Sequence, residues 1–159
     1  MTWQAGYLRQ AESDYKVFSD LKTAALCHRL HYLQMASEKL AKSFLCHGSL
    51  KPYKKTHYAL VRFLKSSKRT TNVSRLLGYT NNHLAYCSYV DSILEAAKRV
   101  EDLAPVGGDY DKLNPEYPWK DSSGAIQVPV DYPFAEFSRT DLVRMQTLVS
   151  DLFRIATRF

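Results

Sequence analysis

At 159 residues, with 45% hydrophobic and 24% charged side chains, the sequence has the composition of one globular domain with a sizeable core. No apolar run is long enough to cross a bilayer, and no basic head followed by an apolar stretch opens the chain. The net charge of +6 is unevenly placed: residues 1–70 hold 13 Lys or Arg against 4 Asp or Glu, and residues 71–159 hold 9 against 12.

A basic N-terminal half points to a polyanionic partner or to an acidic protein surface; the plainer alternative is a face that only solvates the fold. Cys27, Cys46 and Cys87 are odd in number and widely spaced, which fits neither a disulfide framework nor a zinc ligand set. A cytoplasmic protein with no membrane contact is the expectation.

In chain order, Tyr7, Ala11, Asp14, Tyr15 and Phe18 recur at helical spacing and predict a first helix over about residues 2–19. Residues 23–46 form the clearest helical pattern. Leu26, Leu30, Leu33, Leu40 and Phe44 share one face, while His28, His31, Met35, Glu38 and Lys42 make a second, nearly opposite line. A helix marked on two sides sits centrally in a bundle. Gly48 suits its end.

After a basic turn, Lys51-Pro-Tyr-Lys-Lys, Thr56 reads as an N-cap, and His57, Leu60, Val61 and Leu64 predict a short third helix. Asn72 is placed to cap a brief helical turn through Leu77, closed by Gly78. A long helix is predicted from Asn81 or Asn82 to Leu103, stopped by Pro105.

Residues 104–137 hold five of the six prolines and many aromatics, among them Tyr117 and Trp119. A flexible linker is poor in aromatics, so an ordered, irregular loop packed on the bundle is expected. Ser138 with Asp141 forms a capping-box pattern ahead of a last helix, whose apolar face is Leu142, Met145, Val149, Leu152, Phe153 and Ala156. Clear period-two strands are absent. The whole reads as a single all-α domain, an up-and-down bundle of about five helices with one long loop before the last.

The charge asymmetry has a sharper form. Between Glu38 and Asp91 there is no acidic residue, while ten Lys or Arg fall there, Lys39, Lys42, Lys51, Lys54, Lys55 and Arg75 among them. Lys54 and Lys55 directly precede His57. At the first turn of a helix, KKTH is a candidate phosphate site, because a helix start offers free N–H groups and partial positive charge. The alternative is that His57 packs locally. Glu38 and Lys42, four apart, read either as a surface ion pair or as a frame in which Lys39 or Lys42 meets a phosphate. His28 and His31 have no second ligand cluster, so no metal and no cofactor are expected.

The run HYLQMASEKLAKSFL, followed by the basic turn and KTHYALVRFL, resembles the HEPN family (higher eukaryotes and prokaryotes nucleotide-binding domain) over about residues 3–103. Members carry a Glu-Lys pair and a later Lys on one helix and a Thr-His or Ser-His opening the next. Trp3, Ala11 and Asp14 also sit where a first helix of that family carries such residues. NPEYPW, residues 114–119, is similar to a segment of an uncharacterised bacterial subgroup.

The resemblance implies an all-α bundle, often a homodimer, that binds nucleotide or RNA. Many members are ribonucleases, including toxins paired with nucleotidyltransferase-like antitoxins. Their Arg, short polar spacer and His correspond here most nearly to Arg75 and His83, with a longer spacer broken by Gly78.

The reading is therefore a non-catalytic module for nucleotide or RNA phosphates, contacted by Lys39, Lys42, Lys54, Lys55 and His57. Tyr117 and Trp119 are candidates for stacking on a base, or anchors for their loop. Two alternatives stand beside it: a metal-independent ribonuclease using Arg75 and His83, or His57, and a protein-interaction half of a toxin–antitoxin pair.

Overall fold

The structure is a computed structural model and describes residues 1–54, 56–104 and 112–159. Among the described residues it is an all-α bundle of six helices. Helix α1 spans Trp3–Asp20, α2 Leu26–Leu45, α3 Ala59–Ser67, α4 Asn72–Leu76, α5 His83–Asp102 and α6 Arg139–Ala156.

The local signals explain most boundaries. The Thr2 hydroxyl accepts from the Ala5 N–H at the start of α1. The Asn82 side chain accepts from the Ala85 N–H at the start of α5. Ser138 and Asp141 close a full capping box on α6. Gly48 and Gly78, which follow α2 and α4, have φ of 70° and 92°, a region that costs glycine little.

The start of the third helix differs from expectation. Thr56 is not its N-cap: α3 begins at Ala59, with Tyr58 in the cap position and no side-chain cap bond. The Thr56 hydroxyl accepts instead from the Tyr58 N–H at 3.2 Å, closing a local turn before the helix. His57 consequently lies ahead of the helix, not in its first turn. Asn72 is likewise the first residue of α4, and Thr71 is its cap.

Helix α2 is the centre of the molecule and packs against α1, α3, α5 and α6. Leu30, Leu33, Leu40 and Phe44 are buried, and so are Gln34, Ser37, Lys42 and Ser43. Of the second line of its sequence Lys42 is buried, His31, Met35 and Glu38 are half-buried, and His28 is exposed. Phe44 stacks on Phe63 of α3, with ring centroids 4.6 Å apart, and meets Phe159 edge-on at 4.9 Å.

The segment before α6 is ordered where it is described, and it carries a short hairpin that the sequence reading lacks. Trp119–Lys120 (β1) pairs antiparallel with Ile126–Gln127 (β2). Asp121 organises the turn by accepting from the Ser123 and Ala125 N–H groups. Trp119, Tyr132 and Phe134 form an aromatic cluster with centroid separations of 4.9, 5.2 and 6.1 Å. A turn of 3-10 helix at Pro129–Asp131 then seats the segment on α2. Pro105 and the glycines at 107 and 108 lie outside the described residues. Among the described residues no helix is long and apolar enough to cross a membrane.

Candidate functional site

The polar line of α2 is occupied by the protein's own charges. The Glu38 carboxylate accepts from Lys42 Nζ at 2.5 Å and from Gln34 Nε2 at 2.9 Å, and it lies 3.0 Å from His57 Nδ1. Burial alone would raise the Glu38 carboxyl; the bonds from Lys42 and His57, the Lys42 charge and the Gln34 bond outweigh it and hold the carboxyl below its ordinary value. Lys39 reaches Asp14 of α1 at 2.5 Å, and Asp14 also accepts from Gln10 at 3.0 Å. Lys42 is only 8% exposed.

Neither lysine therefore presents a free cation to a phosphate. Once these side chains are withdrawn from water, a carboxylate beside each offsets a desolvation cost that a lone buried charge would not survive.

The helix-start anion site is filled in the same way. Glu101 of α5, 2% exposed, reaches the first turn of α3 and accepts from the Leu60 N–H. Burial pushes its carboxyl up to about 7; the Leu60 and Val61 N–H groups pull against that, and the charges of Glu38 and Asp102 add to it. The free N–H groups expected to hold an external phosphate are met by an internal carboxyl group. Lys54 is exposed and has no ion pair among the described residues. Lys55 lies outside them.

Beside the Glu38–His57 pair is a cavity of about 320 Å³ lined by His31, Gln34, Met35, Lys39 and Glu116 as well. Glu116 belongs to the NPEYPW segment and stands 3.8 Å from His31. Asn114 fixes that segment by accepting from the Glu116 and Tyr117 N–H groups at 2.8 and 3.0 Å. Among the described residues no three metal-ligating side chains come together. Trp119 is 5% exposed and serves as the anchor of its segment, so it has no face free for a base; Tyr117 is exposed.

Arg75 and His83 do not converge. His83 Nδ1 lies 3.1 Å from Ser74 Oγ, and Nε2 lies 2.9 Å from the Lys68 carbonyl. Both ring nitrogens tie α5 to the end of α3 and to α4. Arg75 is directed elsewhere, its guanidinium bonded to Asn72 Oδ1 at 2.9 Å. It lines a cavity to which His83 contributes nothing.

Exposed cations collect on α3 and the turn that follows it. Leu60, Phe63, Leu64 and Ser67 face the core, which leaves Arg62 and Lys65 outward on the helix, with Arg69 exposed in the turn after it. They line an open groove of about 540 Å³ together with Val61 and Tyr58, whose ring is 54% exposed. The Arg62 guanidinium lies 6.0 Å from the centre of the Tyr53 ring. Lys51, Lys54, Arg62, Lys65, Arg69 and Arg75 make no ion pair among the described residues; of the cations in residues 51–75, Lys68 alone does so there, with Asp91 at 2.5 Å. The cause is in the sequence. With no acid between residues 39 and 90, no i±4 partner exists on α3.

Sequence reasoning counted Arg62, Lys65 and Arg69 in the acid-free stretch without assigning them a role. Their spacing against the inward Leu60, Phe63 and Leu64 was the available signal. No family model matches the chain, no curated protein matches it, and no solved structure matches it. The fold and the site together define, among the described residues, a six-helix bundle with an unneutralised basic face along α3.

Proposed function

We propose that the chain is a HEPN-like, non-catalytic module that binds RNA phosphates in the cytoplasm through the outward face of α3. The observation that carries this reading is the groove of Arg62, Lys65 and Arg69 with exposed Tyr58, cations with no ion pair among the described residues beside an aromatic face. Guanidinium and ammonium groups held on one helix face meet backbone phosphates, and a neighbouring exposed ring accepts an unstacked base. Lys51 and Lys54 extend the charge on the turn before the helix. The engagement of both His83 nitrogens and the separate placement of Arg75 support binding without cleavage.

Fluorescence anisotropy of a labelled, mixed-sequence single-stranded RNA tests the proposal. Affinity is expected to fall linearly with salt on logarithmic axes. The Arg62→Gln/Lys65→Gln/Arg69→Gln protein is expected to lose about 2 from the slope, three contacts at roughly 0.7 each. Salt-independent binding, or an unchanged slope in the triple variant, would overturn it. Binding of an acidic protein in place of RNA would move the function to a protein partner.

A second reading has its own observation. Glu38 fixes the His57 ring through Nδ1 and leaves Nε2 open beside the cavity, the arrangement of a carboxylate-oriented general base. RNA cleavage abolished by His57→Ala and retained in His83→Ala would select it.

A further inference from the structure

On the molecule's surface at the end of α2, a second cationic cavity stands apart from the α3 groove. It holds about 420 Å³ and is lined by His47, Asn72, Arg75, Arg158 and Phe159. We propose that this cavity is a binding site for a phosphate monoester, taken as its dianion by Arg75 and Arg158 together.

Two guanidiniums and an imidazole border the cavity, and no Asp or Glu does so among the described residues. Neither arginine has an ion pair there, so their charges are uncompensated by side chains. Guanidinium forks match tetrahedral oxyanions through paired N–H donors, and two of them supply the two charges that a monoester carries and a diester does not.

The cavity is also preformed. Asn72 Oδ1 accepts from Arg75 Nη2 at 2.9 Å, which fixes that guanidinium and leaves its other donors available. Phe159 packs edge-on against the core ring of Phe44 at 4.9 Å, and His47 packs against Phe159 at 5.1 Å. Donors held in place before the ligand arrives lose less freedom on binding. The volume lies within the roughly 300–1,000 Å³ of small-molecule sites and exceeds what bare phosphate fills, so an organic group attached to the phosphate fits against the Phe159 ring. The inference does not depend on RNA binding at α3, because the two cavities share no lining residue.

The test is a titration of the full chain at low salt and pH 8, well above a monoester's second pKa of about 6. Inorganic phosphate, glucose 6-phosphate and adenosine 5′-monophosphate are added in turn, with 3′,5′-cyclic AMP as the diester control. Binding is read by NMR from the Arg75 and Arg158 side-chain N–H signals and the backbone of His47 and Asn72.

The expected result is saturable shifts at these residues with the monoesters and none with the cyclic diester. Arg75→Gln and Arg158→Gln are each expected to weaken affinity at least about tenfold, the loss of a charge-assisted hydrogen bond. Arg75→Lys is expected to fall between Gln and the native residue. A preference for adenosine 5′-monophosphate over glucose 6-phosphate would assign the attached group to a nucleoside, and the reverse to a sugar. Absence of saturation, saturation unchanged in the double Gln variant, equal binding of the cyclic diester, or shifts confined to Arg62, Lys65 and Arg69 would each overturn the proposal. Both arginines are on the surface, and an unchanged melting temperature confirms that the variants are folded.

Discussion

The polar line of α2 and the outer face of α3 draw on the same acid-free stretch, yet they end in opposite electrostatic states. On α2, Lys39 and Lys42 are held by Asp14 and Glu38 at 2.5 Å each. On α3 and the turn after it, Arg62, Lys65 and Arg69 have no carboxylate partner among the described residues. The difference follows from burial. A cation withdrawn from water on the central helix needs a matched anion to persist. A cation on a peripheral helix is satisfied by water and keeps its charge for a ligand. High positive charge in a sequence therefore marks a binding surface only where the fold leaves it unneutralised.

The largest expected effect comes from breaking the neutralised side. Glu38→Ala leaves Lys42 buried without its anion and takes the partner from His57, and is expected to cost about 3 kcal/mol in urea unfolding. A cost below about 0.5 kcal/mol, the range of ordinary surface substitutions, would mean that water already compensates Lys42 and that the contrast with α3 is unreal.

Next is the pH response of Glu101. Its folded carboxyl lies at about 7, above its ordinary 4.5, so the folded state holds the proton more tightly. The resulting stabilisation is fully present below pH 4.5 and is lost as pH rises toward 7, after which it is flat. Its size is on the order of 3 kcal/mol by linkage. Glu101→Gln keeps an oxygen for the Leu60 N–H and is expected to flatten this slope. An unchanged slope would assign the pH response to other groups.

Smaller still is the effect of Tyr58→Ala on single-stranded RNA. Loss of one stacked base is expected to weaken binding by about 1–2 kcal/mol while leaving affinity for duplex RNA nearly unchanged. An equal loss for both forms would show that Tyr58 shapes the groove without stacking. The smallest effect is on stability of the α3 face. Arg62→Gln, Lys65→Gln and Arg69→Gln are each expected to stay within about 0.5 kcal/mol of the native protein by urea unfolding, since none of the three has an ion pair among the described residues. A loss of more than about 1 kcal/mol at any of them would reveal an internal role and remove it from the binding face.

Much of the architecture was legible in the chain. The Leu30–Leu33–Leu40–Phe44 stripe and the Ser138–Asp141 box are local patterns that appear where the spacing put them, and of the two starts the sequence left open for α5, Asn82 is the cap. The aromatic segment before the last helix was readable as ordered because Trp119, Tyr132 and Phe134 had to be buried somewhere. The site was less legible. KKTH at a helix start was a sound local argument, but α3 begins only at Ala59 and the chain carries its own Glu101 carboxyl to that place.

Periodicity, the Ser138–Asp141 capping box and the missing acids between residues 39 and 90 were thus determined by sequence alone, since each acts over a turn or two of helix, whereas the caps read at Thr56 and Asn72 were shifted in the fold. Which cations are neutralised was decided only by the tertiary structure. Asp14 lies 25 residues from Lys39, and Glu101 lies 41 residues from Leu60. Such pairings have no spacing rule, because they arise where packed helices cross and where desolvation makes an unmatched charge or an unmet helix end too costly to keep.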